Sequence, residues 1–234
     1  MDRLTRKELK SDRFALEVQH SVEYVTGHRR QLIRWGSIGG AVIVVAVAVY
    51  LYISHSNSVR EADLTAALNI ENANVGPAPN EFMLTYATQA EKDKAADKAW
   101  TEILAKYSGS DAGAIAQYYL GTRAADSGNA TEAEKRFKEA ADSGKSDYAS
   151  LAKVALAQLY AGTGRVPDAE KLLHQVMDHP TALVSKDEAT IVLARAIGPT
   201  NPKEARKILQ PLAGKQDHPG VSQAAISAMS DLPQ

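Results

Sequence analysis

Histidines and carboxylates, the side chains that most often bind metals or transfer protons, are scattered along this chain. His174 and His179 are the closest pair of histidines, and they are five residues apart. The HExxH zinc motif instead places two histidines four residues apart on one face of a helix. The chain has no cysteine, which excludes disulfide bonds, thiolate ligands, thiol nucleophiles and a lipid-bearing cysteine. These residues therefore predict no metal site.

Motifs that bind phosphate or activate a serine are also missing from the sequence, since GxGxxG, GxxxxGK[ST] and GxSxG do not occur. Glu132, Asp168 and Glu204 recur every 36 residues. Each lies just inside a predicted helix N-terminus, where a negative charge interacts favourably with the helix dipole. This regular spacing indicates helix stabilisation and not paired-carboxylate catalysis. We predict no catalytic residue and no cofactor.

The second half of the chain repeats a pattern of small and apolar residues every 36 positions. Four columns share this register: Leu120, Leu156 and Val192; Ala133, Ala169 and Ala205; Phe137, Leu173 and Leu209; and Ala140, Val176 and Leu212. The last three columns are spaced i, i+4 and i+7, which is one face of a helix that a neighbouring helix must cover. The period predicts a helical repeat solenoid, an architecture that usually binds other polypeptides.

Helix starts within the repeats are marked by capping residues. An asparagine precedes a glutamate by three residues at Asn129 to Glu132 and again at Asn201 to Glu204. Pro202 then occupies the first helical position, where its missing N–H costs nothing. In the middle copy a proline, Pro167, takes the same role.

An earlier, degenerate copy is predicted before the first full one. It pairs a helix near Glu81 to Glu91 with one near Asp93 to Tyr107, in which the column spacing recurs as Ala96, Trp100 and Ile103. At the other end, Val221 to Met229 is predicted to form a single helix that caps the last repeat. The sequence thus predicts three to four helix pairs and a capping helix in residues 81–234.

An apolar segment from Trp35 to Ile53 runs 19 residues without a charge. A helix needs about 20 such residues to cross the hydrocarbon core of a bilayer. Trp35 at one end and Tyr50 and Tyr52 at the other match the aromatic belts of membrane interfaces. We predict a transmembrane helix over residues 35–54. The competing interpretation is a signal peptide cleaved after Ala46-Val47-Ala48, although a 34-residue n-region is long for that class.

Charge around this segment predicts its orientation. Residues 1–34 contain eight Lys or Arg, whereas the 20 residues after Ile53 contain only Arg60. The positive-inside rule puts the N-terminus in the cytoplasm and the later domain outside, which predicts a single-pass bacterial inner-membrane protein with a periplasmic domain. Residues 1–34 are predicted to form a basic cytoplasmic tail with a partly amphipathic helix through Phe14, Val18, Val22 and Val25. Its cations either fix the topology alone or also bind anionic lipid.

Residues 55–80 are predicted to connect the membrane to the repeat domain. Asn57 to Glu71 continues as a helix, and Asn72 to Asn80 breaks it with two prolines, a glycine and three asparagines, which disfavour helix or strand. We place the domain boundary in this linker, so the repeat domain runs from Glu81 to the C-terminus. The predicted fold class is all-α.

Several residues of the repeats resemble the tetratricopeptide repeat family. The first copy matches its motif at Leu120-Gly121, Gly128-Asn129, Ala133, Phe137 and Ala140. The second keeps Leu156, Tyr160, Gly164, Ala169 and Leu173, and the third keeps mainly Ala205, Leu209 and Leu212. The family's first-helix tryptophan is replaced by Gln117 and Lys153. The whole layout, a basic tail, one anchor and a repeat domain, resembles the YfgM-like family of ancillary subunits of the SecYEG translocon.

The resemblance implies a peptide-binding groove lined by the first helix of each pair. The groove residues that it implies are Ile115, Tyr118, Thr122, Leu151, Val154 and Gln158. Such a groove is mostly apolar and lacks the Lys, Asn and Arg set with which some relatives hold a C-terminal carboxylate, so a helix or an unfolded segment fits it better. The other interpretation is that half of these residues pack between helices.

Three functional classes follow from these patterns. The first is an anchored module that assists protein export by binding translocon subunits, a periplasmic chaperone or exported polypeptides, as the resemblance implies. The second is a cell-envelope scaffold for cell-wall synthesis or division without a chaperone role. The third, an enzyme, needs an apolar pocket with convergent titratable groups. A formal net charge of -1 gives no reason to expect nucleic acid, and nothing in the sequence sets the oligomeric state.

Overall fold

The computed structural model describes residues 29–77, 83–143 and 147–233. In this part of the chain there are nine helices: α1 (Arg29–Glu71), α2 (Gln89–Lys106), α3 (Asp111–Asp126), α4 (Ala130–Asp142), α5 (Asp147–Gly162), α6 (Val166–Asp178), α7 (Lys186–Ile197), α8 (Pro202–Ala213) and α9 (Pro219–Ser230). Two short strands, β1 (Asn74–Val75) and β2 (Thr85–Tyr86), pair in parallel. The amphipathic helix predicted around Phe14 lies outside the described residues.

The chain forms two compact units, one ending at Val59 and the other spanning Arg60–Gln234. In the first unit, α1 exposes its large apolar side chains between Ile33 and Ile53. This helix is long and apolar enough to cross a membrane. The second unit begins earlier than the boundary predicted near Glu81, because the last turns of α1 pack with the repeat helices.

The first helix pair of the second unit consists of the end of α1 and α2. Leu64 and Leu68 of α1 pack with the buried Ala67 against Trp100 and Ile103 of α2. The indole Nε1 of Trp100 donates a hydrogen bond of 3.0 Å to Glu71. An apolar stripe on α1 therefore covers the α2 face that needs a partner.

The prediction of a helix near Glu81 to Glu91 was wrong for residues 83–88, the described residues that precede α2. Residues 83–88 form a loop that contains β2, and α2 starts only at Gln89. The physical reason is a capping box at Thr88: its side chain accepts from the N–H of Glu91, whose carboxylate accepts in turn from the N–H of Thr88. The linker that was predicted to hold neither helix nor strand contains the two-residue strand β1.

Three full copies of the repeat follow, as the pairs α3/α4, α5/α6 and α7/α8, and α9 packs on the last pair. The turns inside the first two copies use Gly128 and Gly164, which are 36 residues apart and have φ of 77° and 80°. Only glycine adopts this conformation at little cost. The all-α repeat architecture with a C-terminal helix is confirmed.

The core is built from the repeated columns. Phe137 and Leu156 are 3% exposed, and Leu173 and Leu209 are fully buried. Leu120 is half-buried, and Gly121, the next residue of the motif, is buried. The other residues of the columns are buried as well: Ala133, Ala140, Ala169, Val176, Val192, Ala205 and Leu212. Each copy thus buries one side of its second helix against its neighbours.

Helix contacts define an inner and an outer row. The inner helices, α3, α5, α7 and α9, each contact the next inner helix in the series as well as the helices adjacent in sequence. No comparable contact joins the outer helices α4, α6 and α8 within the described ranges. Because the inner helices lie closer to one another than the outer helices do, they line the concave side of the array.

Candidate functional site

Two stripes of side chains run along the inner helices α3 and α5. On α3 the stripe contains Ile115, Tyr118 and Thr122, and on α5 it contains Leu151, Val154 and Gln158, in each case with steps of three and four residues. Residues at this spacing lie on one side of a helix. We call these two stripes together the inner face.

Five of the six residues on the inner face are half-buried, and Gln158 is exposed. Ile115 packs against the cluster that contains Trp100, while Leu151 and Val154 pack against the cluster that contains Val184. The hydroxyl of Thr122 donates to the carbonyl of Tyr118 at 3.1 Å. These side chains therefore contribute to helix packing and also leave part of their surface at the inner face.

An aromatic cluster connects the inner helices to α2 and α4. Tyr119 stacks on Trp100 with ring centroids 4.3 Å apart and planes within 4°. Tyr118 meets Tyr148 of α5 edge-on at 5.5 Å and lies 6.1 Å from the ring of Phe137. Offset and edge-on aromatic pairs add stabilisation beyond their buried area. The sequence analysis missed Tyr119 and Tyr148. The adjacent tyrosines Tyr118 and Tyr119 could have indicated an aromatic cluster on α3, whereas no signal in the sequence indicated Tyr148.

Burial raises the pKa of Tyr118 and the pKa of Tyr119 above the ordinary value of tyrosine. Both phenols are therefore neutral at physiological pH and keep their O–H donors. The inner face, to which Tyr118 belongs, is therefore apolar with a few hydrogen-bonding positions. This chemistry fits a polypeptide better than it fits a small anionic substrate.

The model of the tetratricopeptide repeat-like domain matches residues 29–224, which is most of the chain. The chain belongs to this family. No curated protein and no solved structure matches it. The match confirms the tetratricopeptide part of the resemblance and extends through the apolar helix.

In this tetratricopeptide repeat-like protein, Arg123 joins the first pair to the first full copy. Its guanidinium lies 3.6 Å from Glu71, 3.2 Å from Asp93 and 2.5 Å from Asp97, and its side chain is 13% exposed. A cavity of about 420 Å³ opens beside it. Because three carboxylates already neutralise this cation, the cavity offers no free charge from Arg123 to a ligand.

A second charged cluster joins the first and second copies. The carboxylate of Glu134 accepts from Lys138 at 2.6 Å, from Arg165 at 3.0 Å and from the hydroxyl of Tyr160 at 3.1 Å. The hydrogen bond from Lys138, followed by that from Arg165, lowers the pKa of Glu134 to about 2. The guanidinium of Arg165 also lies 3.8 Å from the centre of the Tyr160 ring. These groups stabilise the junction between the two copies.

His174 and His179 are exposed on α6 and at its C-terminal cap. Across residues 29–77, 83–143 and 147–233, no group of three or more histidines and carboxylates could hold a metal ion. The repeated acids Glu132, Asp168 and Glu204 each lie in the first turn of an outer helix. In that position they interact favourably with the helix dipole.

Proposed function

We propose that this protein is a membrane-anchored module that binds a polypeptide segment on its inner face. Tetratricopeptide repeat-like domains typically mediate protein–protein interactions and are seldom catalysts. The observation that supports this function most directly is the inner face itself, where apolar side chains of two successive inner helices, α3 and α5, remain half-buried. A partner side chain placed between Tyr118 and Val154 would remove the remaining apolar surface from water.

The membrane anchor is supported by the first part of α1. Its side chains between Trp35 and Ile53 carry no charge, and those that the structure describes are exposed. The family match begins at residue 29 and so includes this helix. Eight Lys or Arg residues precede this apolar segment, and only Arg60 follows it within 20 residues. By the positive-inside rule, the proposed location is the bacterial inner membrane, with the N-terminus in the cytoplasm and the repeat array in the periplasm.

A protease test addresses this topology. Protease added to intact spheroplasts should digest the repeat array and leave a tag at the N-terminus protected. Protection of the array with loss of the tag would contradict the orientation. Recovery of the protein in the soluble fraction of lysed cells would contradict the anchor.

The proposed partners belong to protein export: translocon subunits, a membrane-anchored chaperone or the exported chains themselves. The support is the layout of tail, anchor and repeat domain, which resembles the YfgM-like family. A photocrosslinking residue at Gln158, exposed on the inner face, would test it in living cells. The matched control is Gln175, which is exposed on the outer helix α6.

Adducts with export proteins or secreted chains from Gln158 but not from Gln175 support the export role. Adducts with cell-wall or division proteins would contradict the export role and support the scaffold role. Identical adduct patterns from the two positions would contradict binding at the inner face.

A further inference from the structure

The loop between α6 and α7, residues 179–185, departs from the helical pattern of the repeat. The inner helix α5 begins at Asp147, 36 residues after the start of α3. The same step leads to Leu183, yet α7 begins only at Lys186, where the side chain of Ser185 caps its first turn. The start of the repeat is therefore helix in α5 and loop before α7. We call residues 179–185 the α6–α7 loop.

Val184 is the fully buried residue of the α6–α7 loop, with 0% of its surface exposed. It shares a buried cluster with Val176 of α6 and Ala189 of α7. Leu151 and Val154, two of the three inner-face residues of α5, pack against this same cluster. The loop thus supplies part of the cover over the α5 stripe of the inner face.

One period before Val184, the same place is taken by Tyr148. Tyr148 is the second residue of α5 and meets Tyr118 of the inner face edge-on, with ring centroids 5.5 Å apart. A residue inside a helix is held by the backbone hydrogen bonds of that helix. The residue that covers the α3 stripe is therefore fixed in a helix, whereas the residue that covers the α5 stripe belongs to a loop.

The backbone of the α6–α7 loop is bonded to itself. The N–H of Thr181 donates to the carbonyl of Val184 at 3.0 Å, and the N–H of Val184 donates to Oγ1 of Thr181 at 3.3 Å. Within the described part of the chain, residues 180–184 make no hydrogen bond to a helix. This turn can therefore move as a unit, and burial of the Val184 side chain is what holds it against the array. Segments with so few contacts open without unfolding their neighbours.

We propose that the α6–α7 loop opens when a polypeptide binds on the inner face, and that an aliphatic side chain of the bound segment takes the place of Val184. The occupant follows from Val184 itself, because the space that it would leave is lined by aliphatic side chains and has the size of one. This inference rests on the proposed binding function and adds a competing segment of the chain to it. The closed loop lowers the apparent affinity in proportion to the fraction of molecules that are open.

Thiol labelling measures the opening, because the chain has no cysteine of its own. The full-length protein in nanodiscs of zwitterionic lipid carries one new cysteine at a time: Leu183→Cys, Val184→Cys or Val176→Cys. Leu183 is 42% exposed and sets the unprotected rate. Val184→Cys should react about 10–100-fold more slowly, the factor expected for exposing one valine side chain. Val176→Cys, buried within α6, should react about 100-fold more slowly again, because it is exposed only when its helix unfolds.

Peptides then test the displacement. One fluorescent peptide carries Leu and Ala among Ser and Gln, and a second has Gln in place of every Leu. Empty nanodiscs are the control for lipid binding. The Leu peptide should raise the labelling rate of Val184→Cys towards that of Leu183→Cys, and the Gln peptide should leave it unchanged.

Val184→Ser removes the apolar group that closes the loop. By anisotropy, this variant should bind the Leu peptide about tenfold more tightly than the unaltered protein, because a larger fraction of its molecules is open. Leu183→Ser changes an exposed residue of the same loop and should leave the Kd unchanged. A merely structural Val184 predicts the opposite result, since its loss would loosen the inner face and weaken binding.

Equal labelling rates for Val184→Cys and Val176→Cys would overturn the inference and leave polypeptide binding in place. So would a Leu peptide that binds without raising the labelling rate of Val184→Cys, or a Val184→Ser protein that binds it no more tightly. If the Leu peptide binds loaded nanodiscs no better than empty ones, the proposed function and the displacement both fail.

Discussion

Gly121 lies on α3 against Phe137 of α4, and Gly121→Ala tests how tightly the two helices pack. A Cβ atom at this position would lie 2.7 Å from Cδ1 and from Cε1 of Phe137, and 3.2 Å from Cβ of Arg136. Favourable carbon–carbon contacts are about 3.5–4.0 Å, so the ring would have to shift by about 1 Å. Phe137 is 3% exposed and contacts the core on its other side, which leaves the ring little room to move.

Two opposing effects set the size of the change. Replacing glycine by alanine inside a helix gains about 1 kcal/mol of helix propensity. Forcing an extra methyl group into a packed core costs about 1–3 kcal/mol. We expect the packing cost to exceed the propensity gain, with a net loss of about 1 kcal/mol in the free energy of unfolding.

Gly162→Ala is the matched control. Gly162 ends α5, and a Cβ there meets no atom within 4 Å. This variant should gain about 0.5–1 kcal/mol. The two substitutions are chemically identical and should change stability in opposite directions.

The assay is urea unfolding of the full-length protein in detergent, followed by far-UV circular dichroism. Phe137→Leu, introduced with and without Gly121→Ala, completes a double-mutant cycle, and the smaller side chain should reduce the cost of the new methyl group. A Gly121→Ala protein at least as stable as the unaltered one, with an unchanged m-value, would refute the close-approach explanation.

Three further predictions concern the core and the charged junctions. Leu173→Ala should cost about 3 kcal/mol in urea unfolding because the side chain is fully buried, and a loss below about 1 kcal/mol would contradict that placement. Trp100→Phe removes the donor to Glu71 and should cost about 1 kcal/mol, so an unchanged Tm would argue against the hydrogen bond. Glu134→Gln should cost about 1 kcal/mol at pH 7 after allowance for screening of a partly exposed carboxylate. Because the folded pKa of Glu134 is lowered from 4.5 to about 2, this contribution is present above pH 4.5 and is lost as the pH falls towards 2, where the two proteins should converge in stability.

The helices of the full repeats could be predicted because their signals are local. The side chains of Asn129 and Asn201 accept from the N–H groups of Glu132 and Glu204, as the three-residue spacing indicated. The apolar columns needed only the helical period to be recognised. Residues close in sequence thus carried enough information for α3 to α8.

The pairing of α1 with α2 could not be predicted in the same way. The hydrogen bond between Trp100 and Glu71 joins residues that are 29 apart in sequence, with β1 and β2 between them. The segment between the two helices interrupts the 36-residue period, so Leu64 and Leu68 fell within the helix predicted to connect the membrane to the repeat domain and were not assigned to a repeat. The period located α2 but gave no information on its partner.

The residues of the inner face and the aromatic residues beside it could be predicted only in part from the sequence. The motif pointed to Tyr118 and Leu151 by their positions in the first helix of each copy. Tyr119 and Tyr148 have no place in that motif, because their contacts depend on how successive copies are rotated against each other. That rotation follows from side-chain packing between copies, which periodicity does not encode.

α1 contains the apolar segment and, in its last turns, half of the first helix pair. This affects how proteolysis could release the repeat array. A cut in the chain between β1 and β2 would separate α1 from α2 covalently. The Trp100–Glu71 hydrogen bond and the 2.6 Å ion pair between Lys106 and Asp63 would still link the two fragments. The nicked protein would behave as a non-covalent heterodimer with α1 as its smaller subunit. Release of the array from its apolar helix would then require dissociation of that complex as well as the cut itself.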